Sequence, residues 1–150
     1  MRFLRLWLPV VLWAALILSA SNDSFSVGHS GGWLRRIAGQ DLPLWIHYGI
    51  RKVAHVVEYA ILSALAFRAA AATWGQRGRV GFTVAVLIAL LGASTDETRQ
   101  SRTVTRRGAP DDVLLDVSSA ALTVALIVRR RRAANLRQPS SAPPKAASDP

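Results

Sequence analysis

The run Ser94-Thr95-Asp96-Glu97-Thr98-Arg99-Gln100, followed closely by Arg106-Arg107-Gly108 and Asp111-Asp112, governs how the chain is read. It separates two apolar runs, Val80 to Ala93 and Val113 to Val128. Each can enter a bilayer but is short for crossing it, because a hydrocarbon core takes about 20 residues of helix. Counting about 20 residues back from Arg129, where a block of arginines begins, reaches Pro110 and takes in Asp112 and Asp116. The same count forward from Arg79 takes in Asp96 and Glu97. Both spans thus carry carboxylates to membrane depth near one shared face. Ionisable groups there are expensive and mark a functional site by default.

Composition agrees with a membrane reading. The 150 residues suffice for one domain, and 51% hydrophobic residues with a mean hydropathy of +0.23 are unusual for a soluble basic chain. The apolar residues fall into four runs rather than one globular core. The absence of cysteine excludes disulfides, thiolate metal sites and thiol nucleophiles. The first run, Leu6 to Ala20, follows Arg2 and Arg5 and reads as an uncleaved signal anchor. A cleavable signal peptide is the poorer reading, because Leu18 stands where the register ending at Ala20 wants a small residue.

The predicted fold is all-α, a bundle of four transmembrane helices at about 6–20, 52–73, 79–96 and 111–128. Between the first two, Trp33, Leu34 and Ile37 have helical spacing with Arg35 and Arg36 opposite, which predicts a short interfacial segment. An ordinary extracytoplasmic loop fits that stretch equally well. Leu42-Pro43-Leu44-Trp45 returns the chain to the surface, with Trp45 and Tyr48 as belt aromatics. Trp74-Gly75-Gln76-Arg77-Gly78 is a tight turn. The transmembrane domain is placed at 1–132, and the Pro-, Ser- and Ala-rich segment 133–150 reads as a disordered cytoplasmic tail.

Orientation follows from the basic residues. With both termini inside and four crossings, the inner side holds eleven basic residues against one acid, Asp149, while the outer side balances eight against eight. The whole net charge of +10 is then cytoplasmic. That distribution assigns the arginines a topogenic and anionic-lipid role and argues against nucleic-acid binding.

Three charged groups converge on the outer side. Lys52, His55, Glu58 and Tyr59 fall within an arc of about 120° on the second span. Asp112, Asp116, Ser119 and Thr123 fall within about 60° on the fourth. Asp96 and Gln100 lie one turn apart on the third, with Glu97 adjacent. His55 with Glu58 or Asp96 is a candidate acid–base pair, and equally a hydrogen-bonded structural group. Arg106 and Arg107 suit bidentate binding of phosphate or carboxylate, and equally loop solubility. His55, Glu58, Asp96, Glu97 and Asp112 lack tight metal-ligand spacing, so neither metal nor cofactor is assigned. No Ser–His–Asp set or Gly-rich phosphate loop is present in the sequence.

The pattern Lys52-x-x-His55-x-x-Glu58-Tyr59, then Asp96-Glu97-x-x-Gln100, then Arg106-x-Gly108 and Asp112, resembles the VanZ-like family of small bacterial membrane proteins. The resemblance covers roughly residues 50 to 128 and rests on order and spacing together. The family is named for a protein associated with low-level resistance to the glycopeptide teicoplanin. It implies a multi-pass protein of the bacterial inner membrane, connected with the envelope and its outer surface. Arg99 stands where members often have His, Asp116 where Asn is usual, Ser119 for a Gly and Val104 for a Pro.

The leading expectation is recognition of an envelope amphiphile, a phospholipid headgroup or a lipid-linked wall precursor. Membrane lipids, such a precursor or a glycopeptide-related ligand are the expected partners. Arg106 and Lys52 would hold the anionic group, and Asp96, Glu97 and Asp112 would position them and bind polar or amine groups. His55, Glu58, Tyr59, Gln100 and Asp116 complete the candidate binding set. Two alternatives stand beside it: a membrane-embedded acid–base enzyme using His55 and Glu58, and a structural protein whose charge cluster only locks helices. Oligomeric state stays open.

Overall fold

Each apolar run becomes a helix, and most of the helices outrun it. The computed structural model describes residues 1–20, 43–75, 78–100 and 110–137. These form α1 (Arg2–Ala20), α2 (Leu44–Thr73), α3 (Gly78–Gln100) and α4 (Pro110–Arg137), and the described chain is all-helical.

The helix ends explain the differences from the predicted spans. α2 begins at Leu44 rather than near 52. Pro43 occupies the N-cap with φ −55° and ψ 146°, and its carbonyl accepts a 3.0 Å hydrogen bond from the Ile46 amide. Proline's restricted φ suits a helix start, and nothing up to Arg51 breaks the helix once begun. Trp45 and Tyr48 therefore ride exposed on its first turns. The predicted interfacial segment, 21–42, lies outside the described residues. α4 runs to Arg137, beyond 128 and into the segment read as tail, because Arg129 to Arg137 are mostly arginine, alanine and leucine, strong helix formers. Residues 138–150 lie outside the described part. After α2, the Trp74 amide donates to the Ala70 carbonyl at 2.9 Å, and Gly75 turns the chain at φ 77°, a conformation that favours glycine.

α2, α3 and α4 pack pairwise on one another, while α1 lies along α2 and meets the edge of α3. The pattern of residue size is inside-out for a soluble protein. The buried positions are dominated by Ala66, Ala69, Ala70, Ala85, Ala89, Ala93 and Ala120, whereas Leu12, Leu91, Leu114 and Leu122 face outward. Small residues let helix backbones approach closely where lipid, not water, is the alternative contact. An apolar belt on all four helices is far more exposed hydrocarbon than a soluble domain carries. Three helical stretches, Arg2–Ala20, Tyr48–Thr73 and Gly78–Arg99, are long and apolar enough to cross a membrane. α4 differs because Asp111, Asp112 and Asp116 occupy its first turns and arginines its last.

Polar contacts fasten α1 to this bundle. Trp13 Nε1 donates to the Glu58 carbonyl at 2.9 Å, Trp7 Nε1 to Thr73 Oγ1 at 3.2 Å, and Arg99 Nη1 to the Leu18 carbonyl at 3.1 Å. The result is a bundle with two unlike ends. The described carboxylates cluster where α2 and α4 begin and α3 ends, and the arginines of α4 gather at the other.

Candidate functional site

The helical stripes carry the polar groups inward. On α3, Gly81, Ala85, Ala89 and Ala93 follow one another every fourth residue, and the stripe continues to Asp96. On α4, Asp112, Asp116, Ala120 and Val124 do the same. Residues three and four apart share a helix face, so a stripe that buries its alanines also buries the aspartates at its end. Asp96 and Asp116 are each only 2% exposed.

At the rim of the cluster, Lys52 Nζ pairs with Asp112 Oδ1, and Arg51 Nη2 lies 3.3 Å from Asp112 Oδ2. One carboxylate thus joins two consecutive cations of α2. Lys52 Nζ also lies 5.1 Å from the centre of the Tyr48 ring, within cation–π range. One turn deeper, His55 Nδ1 lies 3.2 Å from both oxygens of Asp116, so an Nδ1–H there donates to the carboxylate. The carboxylate on the imidazole is that of Asp116, while the sequence offers Glu58 or Asp96 as its acid–base partner. The Ser119 hydroxyl then donates to the Val56 carbonyl at 2.8 Å. These three levels zip the start of α2 to the start of α4.

Tyr59 lies beneath His55, with ring centroids 6.4 Å apart and planes 14° from parallel. It is fully buried, and its hydroxyl has no hydrogen-bond partner among the described residues. A Cβ added to Gly92 would lie 3.6 Å from that hydroxyl, so α3 passes close beside it. Glu58 is half-buried within electrostatic reach of His55, Asp96 and Asp116. Glu97 sits half-buried on the same turn as Asp96. Gln100 closes α3, but its side chain lies outside the described part, as does Arg106. Among the described residues, no group of three or more His, Cys, Asp or Glu is arranged to hold a metal ion.

The arrangement therefore brings Lys52, His55, Glu58, Tyr59, Asp96, Asp112 and Asp116 to one end of three packed helices. It has a cationic rim, a carboxylate-rich interior and an imidazole held through Nδ1. A phosphate could compete with Asp112 for Arg51 and Lys52, while Asp96 and Glu58 could accept hydrogen bonds from hydroxyl or amine groups. Arg51 was not singled out from the sequence, although its place beside Lys52 at a helix start is a usable signal. Trp13 is a second such residue. An indole N–H in an apolar helix must find an acceptor, and here it takes a backbone carbonyl at the cluster.

Among known proteins, the family model that matches is VanZ/LLP1, over residues 6–131. No curated protein and no solved structure matches the chain.

Proposed function

This chain belongs to the VanZ/LLP1 family, and from that premise we propose that it recognises an envelope amphiphile at the outer leaflet of the bacterial inner membrane. The ligand is a phospholipid headgroup or a lipid-linked wall precursor. Both termini are cytoplasmic and α4 is the fourth crossing. From Pro110 to Arg129 is 19 residues, or about 28 Å of helix, close to the hydrocarbon thickness. Asp112 is paired, Asp116 is interior and Leu114, Leu122 and Leu126 face outward, so these two acids need not meet lipid tails, and the exposed Asp111 stands at the very start of the span.

The observation that carries the reading is the polar zip between α2 and α4 in a bundle otherwise packed with alanine. Interhelical polar contacts in membranes average only about 0.6 kcal/mol, so a purely cohesive role is a weak reason to hold this many charges at such depth. Arg51 and Lys52, with Arg106, engage the anionic group. Asp96, Glu97 and Asp112 orient them and receive the ligand's hydroxyl or amine groups. Any contribution to glycopeptide (teicoplanin) resistance then follows from holding the precursor. Native mass spectrometry of the gently purified protein, wild type beside Glu97→Gln/Asp112→Asn, tests this. A co-purifying lipid or precursor that the variant loses supports the reading. A wild type without ligand, with the variant merely less stable, overturns it in favour of helix locking.

The His55–Asp116 geometry favours a second reading, acid–base catalysis at the same place. A carboxylate on Nδ1 fixes the ring and leaves Nε2 to exchange a proton. Under that reading His55→Ala abolishes turnover of the bound amphiphile while its retention persists.

A further inference from the structure

The opposite end of the bundle carries a second, chemically different site. A cleft of about 550 Å³ opens between the first turns of α3 and the last turns of α4. Gly78 and Val128 face each other across it, since a Cβ on Gly78 would lie 4.0 Å from Val128 Cγ1. Phe82 and Val128 line it with hydrocarbon, and Arg79, Arg129 and Arg132 stand around it. All three arginines are exposed, and none forms an ion pair with a carboxylate among the described residues. The described acid nearest along α4 is Asp116, 13 residues or about 20 Å from Arg129. Arg131 points elsewhere, its guanidinium carbon 5.0 Å from the centre of the Phe67 ring.

We propose that this cleft holds an anionic phospholipid of the cytoplasmic leaflet, with its phosphate among Arg79, Arg129 and Arg132 and an acyl chain along Phe82 and Val128. Two features select this occupant. Arginines from two helices line the cleft, and guanidinium groups suit phosphate oxygens, whereas a neutral or zwitterionic headgroup would leave net positive charge uncompensated. The cleft is apolar below and cationic above, which matches a headgroup joined to its chain and not a free phosphate. Basic pockets between helices at a cytoplasmic surface are recurrent anionic-lipid sites. The leaflet assignment rests on the topology proposed above, but the cleft is independent of the α2–α4 site and survives that site's failure.

The test uses the full chain, purified in detergent and titrated with phosphatidylglycerol or phosphatidylcholine, with bound lipid counted by native mass spectrometry. Phosphatidylglycerol is expected to bind preferentially. Replacing three arginines weakens such an interaction by about a hundredfold, since each basic residue near a membrane surface contributes about fivefold. Arg79→Gln/Arg129→Gln/Arg132→Gln should show that loss. Arg2→Gln/Arg5→Gln/Arg130→Gln removes as much charge at the same end, outside the cleft, and should keep most of the binding. Ala125→Phe fills the cleft without changing charge and should displace the lipid while the α2–α4 site keeps its own ligand. Equal losses in the two arginine triples would overturn the proposal in favour of a diffuse basic surface. Binding unaffected by both the cleft triple and Ala125→Phe would overturn it outright. Inorganic phosphate competing as well as phosphatidylglycerol would refute the acyl-chain half.

Discussion

Gly81 and Gly92 lie three turns apart on α3, and replacing each with alanine should leave the Gly81 variant the less stable of the two. An added Cβ at Gly81 would sit 2.8 Å from Phe67 Cε2 and 2.9 Å from Cδ2. Carbon atoms prefer about 3.5–4.0 Å, so the overlap is at least about 0.6 Å. Phe67 is 2% exposed and is capped on one face by Arg131, so its ring cannot simply swing away. Overpacking of this kind costs about 1–3 kcal/mol. At Gly92 the nearest atoms are Tyr59 Cε1 and Oη at 3.6 Å, ordinary contact, and nothing must move. Both substitutions gain the same helix propensity, about 1 kcal/mol. The difference between them removes that shared gain and isolates the clash. Gly81→Ala should therefore be less stable than Gly92→Ala by about 1–3 kcal/mol in a denaturing-detergent titration. In a Phe67→Leu background, which removes the ring, most of that difference should vanish. Equal stability of the two alanine variants, or a difference untouched by Phe67→Leu, would refute the close α2–α3 crossing.

Two further outcomes follow from the site. His55→Ala and Asp116→Asn should each destabilise the bundle, and the double variant should cost less than their sum by about 0.6–1.7 kcal/mol, the range of interhelical polar coupling in membranes; strict additivity in a double-mutant cycle would show that the 3.2 Å contacts do not form in solution. Tyr59→Phe removes a buried hydroxyl that has no described partner, so stability should hold or rise by up to about 1 kcal/mol. The same variant should retain less co-purified amphiphile by native mass spectrometry, and a marked loss of stability instead would place the hydroxyl in the structural network.

The helices were legible because their cause is local. Long apolar runs, bounded by Arg79, Arg129 and the turn at Gly75, leave little alternative to α-helix where the backbone must satisfy itself. Their ends were less legible. Arginine at a membrane border signals depth, not helix termination, and so α4 runs on through its arginine block to Arg137. The start of α2 was hidden in the same way, because Trp45 and Tyr48 read as surface aromatics whether or not they are helical.

The sequence by itself determined which residues share a face: Lys52, His55 and Tyr59 on one helix, Asp112, Asp116 and Ser119 on another, since helical geometry acts over a few residues. Which faces meet, and at what level, depends on how the helices pack. His55 and Asp116 are 61 positions apart, and their contact depends on the rotation and axial register of two packed helices. A slip of one turn, about 5.4 Å, would set His55 against Asp112 in one direction and against Ala120 in the other. α3 packs on both helices and ties their levels together, with Gly81 against Phe67 of α2 and Gly78 facing Val128 of α4, a complementarity of shape that exists only once the helices are packed.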